Sequence, residues 1–365
     1  MFTPAESSLG ALFIQSATGS YMEIEGKPVG FSSIIYNSVF HPTIHSVSIV
    51  LGALLSGSFV KRFLPTFQPE YALSSDNHPL VLGSVSNYCT SGLLIGLGSS
   101  LGKGCTSGHM IAGISRLRWR SIVATLVFAT TAVITSTVLD NGISCGAGLS
   151  CSSYDDKFTI FNANKSLLLK LLAAGFAESY IVLPLVLKKV KESGNETWIT
   201  IGKFLTGLST GFQFGLGLLI SGMASSAKVL GFLSVFSKEK FDPSLLAIPL
   251  FTILPNILTW RSQVPQDVTE LATKKPVLED SFDLNFDDTI DAPFILGNVI
   301  FGVGWGISGI CPATGLLGLV FNYTNGAYWL ASFLGGYFAG KQLQNIDWNS
   351  QSTSSSSSTS TPALH

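Results

Sequence analysis

The chain has 365 residues, 46% of them hydrophobic and only 12% charged; a soluble protein usually carries about twice that charged fraction, so an ordinary soluble fold is excluded. A formal net charge of −1 gives no basis for binding nucleic acid. Five cysteines without a Cys-x-x-Cys pair argue against a zinc site or a thioredoxin-like centre, and no metal or cofactor is expected.

These numbers describe an all-α polytopic membrane protein. A membrane helix needs about 20 mainly apolar residues. The N-terminus, MFTPAESS, starts acidic rather than basic, so no cleavable signal peptide is read there. Spans are predicted at 5–20, 43–60, 80–101, 119–139, 166–187, 198–220, 243–260, 293–309 and 326–341, about nine transmembrane helices. Shorter apolar segments that cannot span lie at 29–38, 106–115, 225–236 and 312–321. The order is therefore span, short helix, span, four times over, with the span at 166–187 left alone in the middle. Each copy crosses an even number of times, so the lone span inverts the second half relative to the first. That is the arithmetic of an inverted repeat with short re-entrant helices, which places a site near the bilayer midplane at the breaks. The halves would be 1–140 and 198–345, joined by 141–197, an outer loop plus a linker helix.

Between the spans, the loops divide by side. Arg116, Arg118 and Arg120 precede one span; Lys188, Lys189 and Lys191 follow another; Lys274 and Lys275 fall with them. Nine spans put these on one side, expected to be cytoplasmic, with the N-terminus outside and the C-terminus inside. Lys61, Arg62, Lys238 and Lys240 fall on the outer side and run against the rule. The outer loop 140–165 holds Cys145 and Cys151, a candidate disulfide or two free thiols, and a sequon at Asn164. The acidic segment 262–292 reads as a solvated cytoplasmic loop. The Ser/Thr-rich tail 346–365 is too low in complexity to build a core and reads as disordered. Trp198, Trp260 and Trp329, near span ends, fit an interfacial belt. Glu178, in the linker span, is the one carboxylate read inside a span, a proton-coupling candidate or a structural contact.

The breaks carry the chemistry. Three stretches share one grammar: GLGSSLGKGCTSGH from Gly96, GLGLLISGMASSAK from Gly215 and GVGWGISGICPATG from Gly302. Seven residues beyond the second glycine of each G-x-G pair stand Cys105, Ala224 and Cys311. A short helix that starts inside the bilayer exposes unpaired backbone N–H groups, and these favour an anion. Thr106, Ser107 and His109 stand beside the first start, Thr314 beside the last. A protonated thiol is a weak, soft donor, suited to a polarizable sulphur atom, and weak binding at several points is what conduction requires. The bland alternative is that Cys105 and Cys311 are small buried apolar residues; matched spacing at two breaks favours the pathway. His109 is either a pathway group or a cap. Lys103 and Lys228, next to breaks, either attract anions or snorkel to the interface. Cys89 has no counterpart and reads as packing.

The stretches LGKGCTSGHMIAGISRLRWRS, SGMASSAKVLGFLSVF and FGVGWGISGICPATGLLGL resemble the YeeE/YedE family of sulphur-compound transporters, whose characterised activity is thiosulfate uptake. The likeness runs from about 80 to 340, and GKPVGFSSII at 26–35 looks like a degraded first-copy motif. Bacterial members are often separate short proteins, and this chain looks like their fusion. The resemblance implies a nine-helix inverted-repeat fold in which thiosulfate is relayed along cysteine thiols. Cys105 and Cys311 match the family's motif cysteines. Long members have a third pore cysteine; here Met223 and Ala224 stand near that offset, and Met223 offers a polarizable contact but no hydrogen bond.

The expected function is a permease, not an enzyme, for thiosulfate or a related sulphur oxyanion in the plasma membrane. Its expected pathway is Cys105, Cys311, Thr106, Ser107, His109, Met223 and Thr314. Its partners would be the inorganic sulphur anion, the lipid bilayer and, as a candidate, a sulphurtransferase. Two other readings stand beside it. One is a membrane thiol enzyme or sulphane-sulphur carrier using the two cysteines. The other is a modulating subunit of another permease.

Overall fold

A computed structural model describes residues 3–69, 83–141 and 159–344. Cys145, Cys151 and the tail 346–365 lie outside the described residues, as do any statements about their pairing or order. Among the described residues every regular element is helical. Thirteen α-helices run in chain order as α1 Pro4–Glu25, α2 Phe31–Phe40, α3 Ile44–Phe63, α4 Val85–Leu101, α5 Trp119–Leu139, α6 Thr159–Ala177, α7 Leu183–Glu192, α8 Glu196–Ser221, α9 Ser226–Leu233, α10 Leu254–Gln263, α11 Ala292–Ser308, α12 Pro312–Phe321 and α13 Tyr323–Gln344. A short π-type helix, Thr106–Gly113, lies between α4 and α5. The sequence Pro243–Gln263, with a π-type turn at Pro249–Ile253, makes one long segment ending in α10.

The order long helix, short helix, long helix thus recurs four times around the linker α6–α7, and the four short helices are α2, Thr106–Gly113, α9 and α12. Among the described residues six stretches are long and apolar enough to cross a membrane: Ile44–Phe63, Trp119–Leu139, Asn164–Glu192, Glu196–Ser221, Pro243–Gln263 and Ala292–Phe321. By that measure α1, α4 and α13 are not among them, and α11 and α12 count as one stretch although Gly309 separates them. Burial divides these helices. Only 17% of the Asn164–Glu192 window and 22% of the Trp119–Leu139 window is buried, against 72% for both Glu196–Ser221 and Ala292–Phe321. The linker and α5 therefore present apolar side chains such as Leu126, Val138 and Leu185 outward, while α8 and α11 form the interior.

Packing has a twofold pattern. α1 crosses α8 and α4 crosses α11; α3 lies on α8 as α10 and its preceding turn lie on α1; α13 lies on α4 as α5 lies on α11. Glycine permits these crossings. A Cβ on Gly10 would sit 2.4 Å from the Ser221 backbone nitrogen, and one on Gly297 2.2 Å from that of Gly102. In a bilayer, where apolar burial gives helices little reason to associate, such backbone-to-backbone approach supplies the dispersion energy that holds them.

Each copy also breaks in the same way. The residue that ends the long helix region turns left-handed: Gly26 at φ 70°, Lys103 at 54°, Gly222 at 79° and Gly309 at 68°. The next short helix begins within a few residues, with Gly30, Cys105, Ser225 and Cys311 as extended N-cap residues. Glycine takes the left-handed conformation without a Cβ penalty; Lys103 does so at a cost.

Three expectations change on the structure. The segment 262–292 is not a free acidic loop but a strap laid against one face. Val277 and Leu278 donate backbone hydrogen bonds to Glu23 and Ile24 at the end of α1, and Asp283 to Gly26. Trp260 and Trp329 are fully buried rather than interfacial: Trp260 joins Met22, Val264 and Phe282 beneath the strap, and Trp329 stacks on Phe333. Trp198 is exposed. Glu178 is not the only carboxylate within a predicted span, since Glu6 on α1 is buried too.

Candidate functional site

The Cys105 and Cys311 helix starts meet inside the bundle. Both thiols are buried and free of disulfides, and both belong to one apolar core with Met223 and Ala224. Extended backbone at Cys105 lets its carbonyl accept the His109 N–H at 2.8 Å, starting the π-type turns. The Cys105 Sγ lies 3.4 Å from the Ser107 hydroxyl, and Ser107 in turn accepts the Phe31 backbone N–H at 3.0 Å. Ser107 therefore joins two short-helix starts, its own and that of α2.

On the opposite side Pro312 occupies the first turn of α12, where no N–H is needed. Thr314 accepts the Cys311 N–H at 2.8 Å and donates to the Cys311 carbonyl at 2.9 Å. Its hydroxyl closes the cap. The Cys311 thiol lies near Thr106, Trp305 and Cys105. The start of α9 backs this break: a Cβ on Gly309 would lie 2.8 Å from the Ser226 carbonyl. Thus Cys105, Cys311, Thr106 and Ser107 come together, Met223 lies in the same core, and Thr314 serves as scaffold.

His109 closes the break itself. Its Nε2–H donates to the Gly102 carbonyl at 2.8 Å, which leaves Nδ1 to accept from the Ser121 hydroxyl at 3.2 Å. The ring ties the end of α4 to α5 with both nitrogens engaged. It also lines a cavity of about 210 Å³ together with Lys103, Arg116, Arg118, Arg120 and Tyr337. Tyr337 stacks on Tyr36 with centroids 4.6 Å apart and lies near Cys105. Lys228 takes no part: it is buried against Asp242 at 3.7 Å and bonds the Thr3 hydroxyl, on the face opposite the cavity.

The strap covers the cavity. Arg116 donates to the Asn285 carbonyl at 3.3 Å and Arg118 to the Phe286 carbonyl at 2.7 Å. Arg118 pairs with Asp288 at 2.6 Å and Arg120 with Asp287 at 2.7 Å. The Phe286 ring lies 5.4 Å from both the Arg116 and Arg118 guanidinium carbons. Hydrogen bonds from Thr289, with Arg120 beside them, hold the Asp287 carboxyl down to about 2. Burial, then the neighbouring Arg118, lowers Arg116 to about 10, still cationic at neutral pH.

Sequence reasoning missed Trp305, the Tyr36–Tyr337 stack and the strap. The strap left one signal: arginines at alternate positions 116, 118 and 120, matched by consecutive residues from Asn285 to Asp288. Nothing local links groups so far apart in the chain.

Comparison with known proteins adds the following. Residues 9–134 match a family model described as sulphur transport, and residues 202–349 match a family of unknown function, DUF6691. A probable transporter of Xylella fastidiosa strain 9a5c is 33% identical over 120 residues, covering 32% of this chain and 75% of that protein. A second probable transporter, from strain Temecula1, is 32% identical over 136 residues, 36% of this chain and 91% of its own length. Both relatives are shorter than half of this chain, in keeping with a fusion of two half-length forms.

Proposed function

The chain belongs to the sulphur-transport (YeeE/YedE) family, a multi-pass membrane transporter, and from that premise we propose that it is a permease for thiosulfate or a related sulphur-containing oxyanion. One observation carries the reading: two buried cysteines, each the N-cap of a short helix at an equivalent break, lie near one another beside Thr106 and Ser107. Thiols, hydroxyls and helix-start amides are weak neutral donors that replace part of an anion's hydration without holding it. Soft sulphur favours a substrate that carries a polarizable sulphur atom. The four left-handed breaks and the twofold packing support an inverted repeat of nine crossings, with 1–140 and 198–345 as its halves, resident in the plasma membrane. The anion enters from the arginine-lined cavity or leaves by it, passes Tyr337, and crosses between Cys105 and Cys311. A sulphurtransferase collecting the anion at the arginine face is the partner this direction would suit.

Supporting conduction over thiol chemistry, His109 has both ring nitrogens engaged and is not poised as a general base. In the third copy Met223 and Ala224 give no thiol, and Ser225 is the N-cap, so the relay has two sulphur donors. The test is uptake of radiolabelled thiosulfate by the purified protein in liposomes, with sulfate, sulfite and selenate as competitors. Saturable thiosulfate uptake, least inhibited by anions lacking a soft sulphur, is expected. No uptake above empty liposomes would overturn the permease, and persulfide on Cys105 or Cys311 during turnover would support the enzyme instead.

A further inference from the structure

The cavity under the strap holds more donors than the strap uses. Arg116 and Arg120 are 8% and 5% exposed, and both line it. The Arg116 Nε and the Arg120 Nε and Nη2 are buried and have no hydrogen-bond partner among the described residues. Burying guanidinium N–H groups unpaired is costly, so their retention asks for an acceptor. Four cations, Lys103, Arg116, Arg118 and Arg120, surround the space. The strap answers them with two carboxylates, and Asp288 goes to Arg118. Asp287 alone serves Arg120 and, at 4.0 Å, Lys103. Phe294 lies 4.5 Å from the Arg120 guanidinium carbon, and Asp287 engages only the Nη1 of that group.

The geometry points to an oxyanion-binding vestibule at this mouth, in which Arg116 and Arg120 receive a tetrahedral dianion and Asp287 of the strap competes for the same guanidinium, making residues 285–288 a latch that substrate displaces. A dianion offers several acceptor oxygens for N–H groups that a single carboxylate leaves unpaired, and guanidinium–oxyanion pairing is the strong, often bidentate kind. The latch is weak by construction: Asp287 and Asp288 are 36% and 50% exposed, so water competes at both pairs. The inference rests on the permease reading for the identity of the dianion, not for the existence of the site.

The experiment is equilibrium binding of radiolabelled thiosulfate to the purified full-length protein in detergent, with sulfate as a second probe and uptake in liposomes in parallel. A competing latch multiplies the intrinsic affinity by the open fraction, so the apparent Kd is the intrinsic Kd divided by that fraction. The Asp287→Asn, Asp288→Asn double variant should therefore bind about threefold tighter or more. Phe286→Ala, which loosens the strap without touching a charge, should shift binding the same way. Arg120→Gln should weaken binding about tenfold. Unchanged or weaker binding in both strap variants would overturn the latch. Binding that tightens in the variants while no uptake occurs would leave the latch standing and remove the permease; uptake with strap-independent binding would do the reverse.

Discussion

Cysteine at an N-cap is chemically unusual. Ser, Thr, Asp and Asn are preferred there because their oxygen accepts an orphan N–H, and Ser225 fills the equivalent place in the third copy. Sulphur at Cys105 and Cys311 gives up part of that capping strength, as expected if the side chain serves an anion and not only its own helix. Cys105→Ala and Cys311→Ala should each lower thiosulfate uptake at least about tenfold, since losing a donor to a desolvated charge costs more than one neutral hydrogen bond. Cys→Ser separates donation from softness: near-normal uptake means donation alone matters, and loss with normal expression means sulphur contact matters. Cys89→Ala should transport normally. A Cys105→Ala, Cys311→Ala double variant with full uptake would return both residues to packing. His109 has a different fate. His109→Ala strands the Gly102 carbonyl, and should cost about 1–3 kcal/mol of stability, read as a lowered thermal midpoint. The position of both cysteines was legible in the sequence because G-x-G spacing repeats. The role of Thr314 was not, because a hydroxyl three residues into a helix reads the same whether it lines a path or closes a cap.

At the level of elements, the order of long and short helices was legible, with ends placed to within about seven residues, because in a bilayer the apolar run and the helix largely coincide. The short helix predicted at 312–321 spans Pro312–Phe321, and the span predicted at 119–139 is Trp119–Leu139. What hydropathy could not convey was which glycines break a helix and which let two helices touch. Gly309 is left-handed and breaks α11; Gly297 is helical and faces backbone. Gly297→Ala should therefore destabilise α4–α11 packing, since the neighbouring backbone cannot swing aside as a side chain would. Gly335→Ala on α13 meets nothing within 4 Å and should be neutral or gain up to about 1 kcal/mol from helix propensity. Detergent-extracted folded yield and thermal midpoint compare them; equal losses in both would show that helix flexibility, not contact, explains these glycines. The strap was illegible for a related reason: acidic composition records charge but not the arginine partners, 167 or more residues away. Its Asp287 has a pKa of about 2 against an ordinary value near 3.9. A depressed carboxylate contributes stability above its unfolded value, lost only as pH falls from about 4 toward 2. The Asp287–Arg120 share of strap docking, read as the difference between wild type and Asp287→Asn in proteolytic protection after Lys274 and Lys275, should thus be constant from pH 8 to pH 5.

Over the whole molecule the polar contacts sort the loops onto two faces. On one, the strap meets the arginines of 116–120, and Asp280 pairs with Lys191 beyond α7 at 3.4 Å. On the other, Lys240 pairs with Asp140 beyond α5 at 2.6 Å, and the Thr3 backbone N–H donates to Ser244. This is the grouping that nine crossings require, with the N-terminus, 140 and 240 together and 116–120, 188–197 and 262–292 together. By the positive-inside rule the basic residues of 116–120 and 188–191 would put the arginine face in the cytoplasm. Lys240, which runs against that assignment, is held by Asp140, although acidic neighbours count little in orienting a chain. Single cysteines at Ser193 and Lys240, in a background without native thiols, test both halves of the argument. Impermeant maleimide should label Lys240→Cys in intact cells and Ser193→Cys only after lysis. The reverse pattern would keep the two faces and invert the protein, placing the arginine vestibule outside as an uptake mouth. Labelling of both from one side would break the grouping itself, and with it the count of nine crossings.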